Sequence, residues 1–369
     1  MKSTHLKVSR RCVVVGTCGL ALSISAHQAL ARTNFAALDT RSIHVKDPAN
    51  CLLVAVTLTP GHRLVAVGEH GVIIYSDDHG LTWSQAAVPV NLTLTCVVFS
   101  TALVGWAGGH FGVILNTADG GKNWNMQLNG IQANQLTMQA AMSPAASVSA
   151  SPALPLAMVR AQHFVSGGPD NPFLTMLVFD PEHIIVFGAY RLAMLTSDAG
   201  KNWQDWSLHI YDRYSHNIYD AAFIGGLYYL VMEEGLIFSS KNQADSFLPI
   251  ASPGSSTLFG ILGARDGSLI VFGVAGFAAR STDQGQSWTS IGIATEQDLA
   301  GGTVLSDGSV VLADESGLIF RSTDNGKNFN KVSSIRSLPF YALQQAANGN
   351  LIAVGETGVT VIPESDFKS

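Results

Sequence analysis

Three observations predict an all-β fold, a seven-bladed β-propeller. First, the pattern Ser/Thr-x-Asp-x-Gly-x-x-aromatic recurs: "YSDDHGLTW" ends at Trp83, "NTADGGKNW" at Trp124, "LTSDAGKNW" at Trp203, "RSTDQGQSW" at Trp288 and "RSTDNGKNF" at Phe329. Second, its Asp stands at 78, 119, 198, 283 and 324, with steps of 41 residues from 78 to 119 and from 283 to 324, the length of one propeller blade. Third, the chain between these motifs consists of short apolar runs and tight turns: of 369 residues 47% are hydrophobic, only 13% are charged, and 36 are Gly. An active site occurs once per chain; a motif met five times is architecture.

The first 31 residues read as a signal peptide. Lys2, Lys7, Arg10 and Arg11 form a basic start, Cys12 to Ile24 is an uncharged apolar run, and "ALA" at 29–31 is a small-x-small cleavage site. The run is too short to span a membrane. The expectation is an exported, periplasmic, monomeric protein with one domain over 32–369. The general secretory route is favoured, and "SRRCVV" at 9–14 keeps a twin-arginine route as the alternative.

Each repeat holds three apolar runs and then the motif. Hairpin signals such as Pro60-Gly61, Gly225-Gly226, Asp266-Gly267 and Asn348-Gly349 join the first two runs. The unit is therefore a small antiparallel sheet, with the motif in the hairpin between its third and fourth strands. There the Asp (Asp78, Asp119, Asp198, Asp283, Asp324) accepts backbone N–H groups and the Gly (Gly80, Gly121, Gly200, Gly285, Gly326) supplies positive φ. The aromatic residue packs into the sheet. A decayed sixth copy, "SKNQADSF", spans 240–247, with Asn242 for Asp and Ala244 for Gly. A seventh unit, 341–363, has three strands and no motif. Ala37 to Val45 is expected to close the ring as its fourth strand, pairing with Val359 to Pro363, since an unpaired edge is a liability. Between blades two and three, about 132–171, lies an insertion of helical composition. Met138, Met142, Leu156 and Met158 lie on it, and "SPAASVSASP" forms a hinge between its two halves.

Cleavage removes four of 21 basic residues and no acid, leaving 17 against 27, a net charge of −10. No basic stripe remains, which argues against nucleic acid. Two cysteines remain, Cys51 and Cys96, read as two buried free thiols rather than a disulfide because they sit at different heights on their strands. No metal-ligand spacing or phosphate loop is present, so no metal or cofactor is implied.

The spacing "GEHGVIIYSDDHGLTW" at 68–83, with seven units and a secretory signal, resembles the Asp-box (bacterial neuraminidase repeat) propellers. Within them it is most similar to the photosystem II stability and assembly factor family and its non-photosynthetic bacterial relatives. The resemblance implies a non-catalytic scaffold that binds a protein partner, a membrane complex such as photosystem II or an exporter. It also implies a basic patch in the photosynthetic members, which the acidic mature chain does not supply.

Sialidases and other glycosidases use the same boxes and supply the alternative reading. A sialidase needs three arginines on a carboxylate and a Tyr nucleophile paired with Glu. The ten arginines of the mature chain are scattered, and no Arg-Ile-Pro motif opens it.

Strand alternation puts the turns between second and third strands on one face with the blade-to-blade links, opposite the boxes. Their tips gather Glu69, His70, His110, Tyr190, Arg191, Glu233, Glu234, Glu315 and Glu356 into an acidic mouth. The link "HIYDRYSHN" at 209–217 adds Tyr211, Arg213 and Tyr214. Aromatic and Arg side chains of this kind favour interfaces, so a partner is expected on this face.

Overall fold

A computed structural model of the chain describes residues 36–143, 154–241, 243–332 and 338–368. The signal segment, nearly all of the insertion hinge, Asn242 and Arg336 lie outside them.

The described strands, β1 to β27 in chain order, form seven antiparallel sheets. Blade one shows the plan. β1 (Leu53–Leu58) turns at Pro60-Gly61 into β2 (Leu64–Gly68). β2 passes through a 3₁₀ turn, Glu69–Gly71, into β3 (Ile73–Ser76), and β3 passes through the Asp box into β4 (Ser84–Gln85). β2 is buried throughout, as a strand covered on both faces by neighbouring blades must be. Its last residue is glycine for a steric reason: a Cβ on Gly68 would stand 2.0 Å from the Leu52 carbonyl oxygen. The plan repeats over 94–128, 173–205, 218–249, 258–290 and 299–331.

The innermost strands are β1, β5 (Leu94–Phe99), β9 (Phe173–Val178), β13 (Ile218–Ile224), β17 (Leu258–Gly263), β21 (Leu299–Val304) and β25 (Phe340–Gln345). Each packs on the next, and β25 packs back on β1, closing the ring around a central channel of about 310 Å³.

The core lies at the seams between blades, and each seam holds one aromatic wedge. Trp124 sits with Val65 and Val67 of blade one and Ala107 and Leu115 of blade two. Trp203, Phe247, Trp288 and Phe329 take the same place at the next four seams. Trp83 fills the seam between blades seven and one. So the aromatic residue of the motif does not stay within its own sheet; it packs against the preceding blade.

Blade seven departs from expectation. It has three strands, β25, β26 (Leu351–Gly355) and β27 (Gly358–Ile362), and among the described residues no fourth strand pairs with β27. Ala37 to Val45 is not a strand. Its first residues lie in a short helix, α1 (Ala36–Asp39), and the rest follows the outer edge of blade one. There Ser42 N donates to the Val88 carbonyl, Val45 N to Gln85 Oε1, and Gln85 Nε2 to the Ile43 carbonyl. The Gln85 side chain thus takes the hydrogen bonds that a strand edge would have offered. Only Val45 reaches the closing seam, packing with Val359 and Val361. The wedge of the last seam is Phe367, buried with Val311, Ala313 and Leu351 from a C-terminal helix, α4 (Glu364–Lys368).

The insertion forms two helices between β8 (Asn125–Leu128) and β9: α2 (Gly130–Met142) and α3 (Leu154–Gly167). Asn129 and Gln132 cap α2 reciprocally. The two helices are tied to each other, where Asn134 Nδ2 donates to the carbonyls of Phe164 (2.9 Å) and Gly168 (2.8 Å), and α2 is tied to blade three, where the Thr137 hydroxyl donates to Asp205. Ile131, Met142, Leu156, Val159 and Val165 are exposed. Cys51 and Cys96 are not joined in a disulfide, and both are half-buried rather than buried.

Candidate functional site

The two faces of the ring separate as strand alternation requires. On the mouth face, Gly71 N donates to the Leu92 carbonyl of the next link at 2.7 Å, and His70 Nδ1 lies 3.3 Å from Asn91. On the other face, Arg63 Nη1 reaches the carbonyl of Gly120 in the next box at 2.9 Å.

The carboxylates of the boxes are internally satisfied. In the first, Ser76 Oγ donates to Asp78 Oδ1 (2.7 Å) and accepts Gly80 N (2.9 Å). Asp78 Oδ1 also accepts Thr82 N, and Oδ2 the Thr82 hydroxyl. Hydrogen bonds from Thr82 hold the Asp78 carboxyl down to about 2, and those from Ser287 do the same for Asp283. The residue before the aromatic is thus part of the motif: Thr82, Asn123, Asn202, Ser287 and Asn328 all bond the carboxylate through backbone and side chain. Its constant polarity was visible in sequence. The residue before Gly is left-handed too, as at His79 (φ 64°) and Asn325 (φ 59°).

The candidate mouth residues fall into two groups. Glu69 and His70 stand on one turn of blade one, and His110, Glu315 and Glu356 on the turns of blades two, six and seven. Glu69, Glu315 and Glu356 are half-buried. His110 is half-buried at the base of the insertion; burial pushes its pKa down, with Asp170 opposing. The second group comes together at blades three and four. Tyr190 N donates to Asn217 Oδ1 (2.8 Å), and Asn217 N and Nδ2 donate to the two carboxylate oxygens of Glu233 (2.9 and 3.0 Å). His216 joins Asp212 (3.0 Å) to Glu234 (3.5 Å), and Tyr214 packs edge-on against the His216 ring. Tyr214 (74% exposed), Arg213, Glu234 and Tyr190 face solvent. Glu233 is occupied in holding the link, and Tyr211 packs into the seam core while its N–H donates to the Phe247 carbonyl.

Arg191 does not stand at the surface: it is fully buried. Its Nη1 donates to the Asp212 carbonyl. Beside it lies a second buried cation, Arg160 from α3, which sequence reasoning missed. Arg160 donates to the carbonyls of Tyr190 and Arg191 at 3.4 Å and to Ser207 Oγ, and stands 3.8 Å from Asp205. Asp205 also accepts the Thr137 hydroxyl of α2 at 2.8 Å. Asp205 and Asp212 balance the two guanidiniums. Burial, then the neighbouring charge of Arg160, pushes Arg191 down to about 9. Breaking such a pair leaves a buried charge uncompensated, so this network latches the insertion to the propeller. Burial works against the charged form of Asp212, yet His216 and the N–H groups of Tyr214 and His216 outweigh it and hold its carboxyl below the usual range. The same contact raises His216.

Among the described residues no group of three or more His, Cys, Asp or Glu is arranged to hold a metal ion, and no helix is long and apolar enough to cross a membrane.

The BNR/Asp-box repeat matches at residues 74–85, the first box. Over 122 residues the chain is 29% identical to the photosystem II assembly lipoprotein Ycf48 of Synechococcus sp. (strain CC9902), covering 32% of this chain and 36% of that protein. The chain therefore spans about a third of that curated relative. The solved structure of YCF48 bound to D1 peptide superposes with a TM-score of 0.61 at 16% identity, covering 88% of this chain and 97% of the other. An ancestral GH74 enzyme superposes with a TM-score of 0.62 at 12% identity, covering 87% of this chain and 45% of the enzyme. The propeller fold is common to all of these.

Proposed function

We propose that this protein is a non-catalytic, exported propeller that holds a segment of a partner protein on its mouth face, as an assembly factor for a membrane complex. The observation that carries the reading is the convergence at blades three and four. The insertion, an aromatic link and two mouth turns are locked there into one rigid surface, with Tyr190, Tyr214, Arg213 and Glu234 outward. Loops on a rigid scaffold are where binding residues gather. The likeness to Ycf48, one structure of which holds a D1 peptide, supports a polypeptide as ligand. Glu69, Glu315 and Glu356 make the mouth acidic and extend the surface toward a basic segment.

Crosslinking in cells followed by mass spectrometry tests this. Crosslinked peptides are expected around Tyr190 and Tyr214. Crosslinks confined to box turns such as 283–287 would place the partner on the wrong face. Hydrolysis of sialosides or β-glucans by the purified mature protein, abolished by changing a mouth glutamate, would replace the scaffold with an enzyme.

A further inference from the structure

Four of the seams on the box face are crossed by long polar side chains. Arg63 spans from blade one to the Gly120 carbonyl, and Gln127 from blade two to the Ala199 carbonyl. Arg280 spans from blade five to the Asn325 carbonyl (2.8 Å), and Arg321 from blade six to the Phe367 carbonyl (2.9 Å). Arg280 and Arg321 hold the same register position on the third strand, opposite Ile270 and Val311. In blade three that position, opposite Ile185, is Leu195. Leucine is too short to cross the seam and has no donor. The bridge is made farther out instead, by Trp206 Nε1 to the Ala244 carbonyl at 3.0 Å. The space that Arg280 and Arg321 fill elsewhere is left as a cavity of about 940 Å³, lined in part by Leu195.

Four aromatic rings and two carboxylates shape this cavity. Tyr228 packs between Phe179 (centroids 5.1 Å apart) and Phe223 (4.6 Å), and Phe223 is 59% exposed. Trp206 is braced from behind by His209, stacked at 3.5 Å. Asp180 and Asp245 are exposed, and the lining includes no Lys or Arg. Asp180 accepts the backbone N–H groups of Glu182 and His183 and the His183 ring, so its carboxylate is fixed.

We infer that this cavity is a second binding site, on the face opposite the mouth, for a polypeptide segment presenting an arginine or lysine side chain. Aromatic faces attract a cation and cover its apolar stem, and carboxylates beside them take its N–H groups. The volume lies within the range of built ligand sites and exceeds what one side chain fills, which favours a short stretch of chain. The guanidinium of the ligand would stand where Arg280 and Arg321 stand in their own seams.

The test uses the full mature protein, labelled with nitrogen-15, and reads its tryptophan indole signals by NMR, that of Trp206 identified by Trp206→Phe. A capped alanine pentapeptide with a central arginine is titrated against its norleucine and glutamate counterparts and against cellohexaose. Saturable movement of the Trp206 signal with the arginine peptide only is expected. Asp180→Asn with Asp245→Asn should weaken binding roughly tenfold, since the amide still accepts the backbone donors that Asp180 caps. Leu195→Arg should abolish it by filling the seam as blades five and six do. Equal binding of the norleucine peptide, unchanged binding in the double variant, or movement with cellohexaose alone would overturn the proposal.

Discussion

Blades five and six differ from blades three and four in what their polar groups do. In the first pair, Arg280 bonds Asp266, Ser268 and the next box, and Arg321 bonds Asp307, Ser309 and the Phe367 carbonyl. The boxes at Asp283 and Asp324 keep their full set of bonds, and the surface presents little that is not already engaged. In the second pair the box of blade four has decayed, the position of the seam arginine is a leucine in blade three, and an insertion precedes blade three. Here buried cations, an aromatic link and an open cavity appear. The lesson is that a repeat consistent with itself is closed, and that open surface collects where the repeat lapses.

The comparison can be broken at four levels. Trp124→Ala removes a seam wedge that is 4% exposed and should cost about 4 kcal/mol, read by urea unfolding. A loss under 1 kcal/mol would mean that the seams do not carry the core. Arg160→Met leaves Asp205 without its buried partner and should cost about 3 kcal/mol. Adding Asp205→Asn should recover part of that loss, and hydrogen exchange of α2 and α3 should rise only in the single variant.

Asp119→Ala, in a regular box, should cost about 1–2 kcal/mol by orphaning the N–H groups of Lys122 and Asn123. The smallest expected effect is that of Leu156→Ser with Val159→Ser on the insertion's outer face, within about 0.5 kcal/mol. A larger destabilisation would show that this face is packed.

The acid–base pair at the mouth sharpens the same contrast. His216 is raised, so its contribution is full below the unfolded value near 6.5 and is lost as pH rises through its folded pKa. Asp212 is lowered, so its contribution is present above about 3.9 and is lost as pH falls through its folded pKa. Protection of the Tyr214 and His216 amides should therefore peak between these limits. The Asp78 and Asp283 turns, with carboxyls at about 2, should stay protected across neutral and mildly acidic pH and open only in strong acid.

The blades were legible because each box is local: its hydroxyl, carboxylate, glycine and aromatic lie within nine residues, and their chemistry reads off directly. The faces followed from strand alternation. What escaped depends on distant partners. Arg191 looked like a turn tip because Arg160, Asp205 and Asp212, which bury and balance it, come from a helix, a fourth strand and a link. Ala37 to Val45 looked like a missing strand because nothing in it reveals that Gln85 answers its backbone with a side chain. Phe367 offered a signal that was not used: an aromatic five residues past the last strand, where the boxes place theirs seven residues past. The cavity was hidden in Leu195, whose meaning emerges only when the third strands of blades three, five and six are aligned by register.

The seam that closes the ring has a consequence for how the chain is made. Blades one to six can stack in the order in which the ribosome supplies them, each wedge meeting a blade that already exists. Trp83 is the exception, because its neighbours Ile352 and Val354 are translated roughly 270 residues later. Until then the inner strand of the first blade and the Trp83 indole stay open to solvent. Among the described residues no shared fourth strand ties the first blade to the last, and the seam is closed by the packing of Val45, Trp83, Ile352 and Val354. A nascent chain stalled before Leu351 is therefore an arc with two sticky ends, and its first contact with another such arc is the route to aggregation.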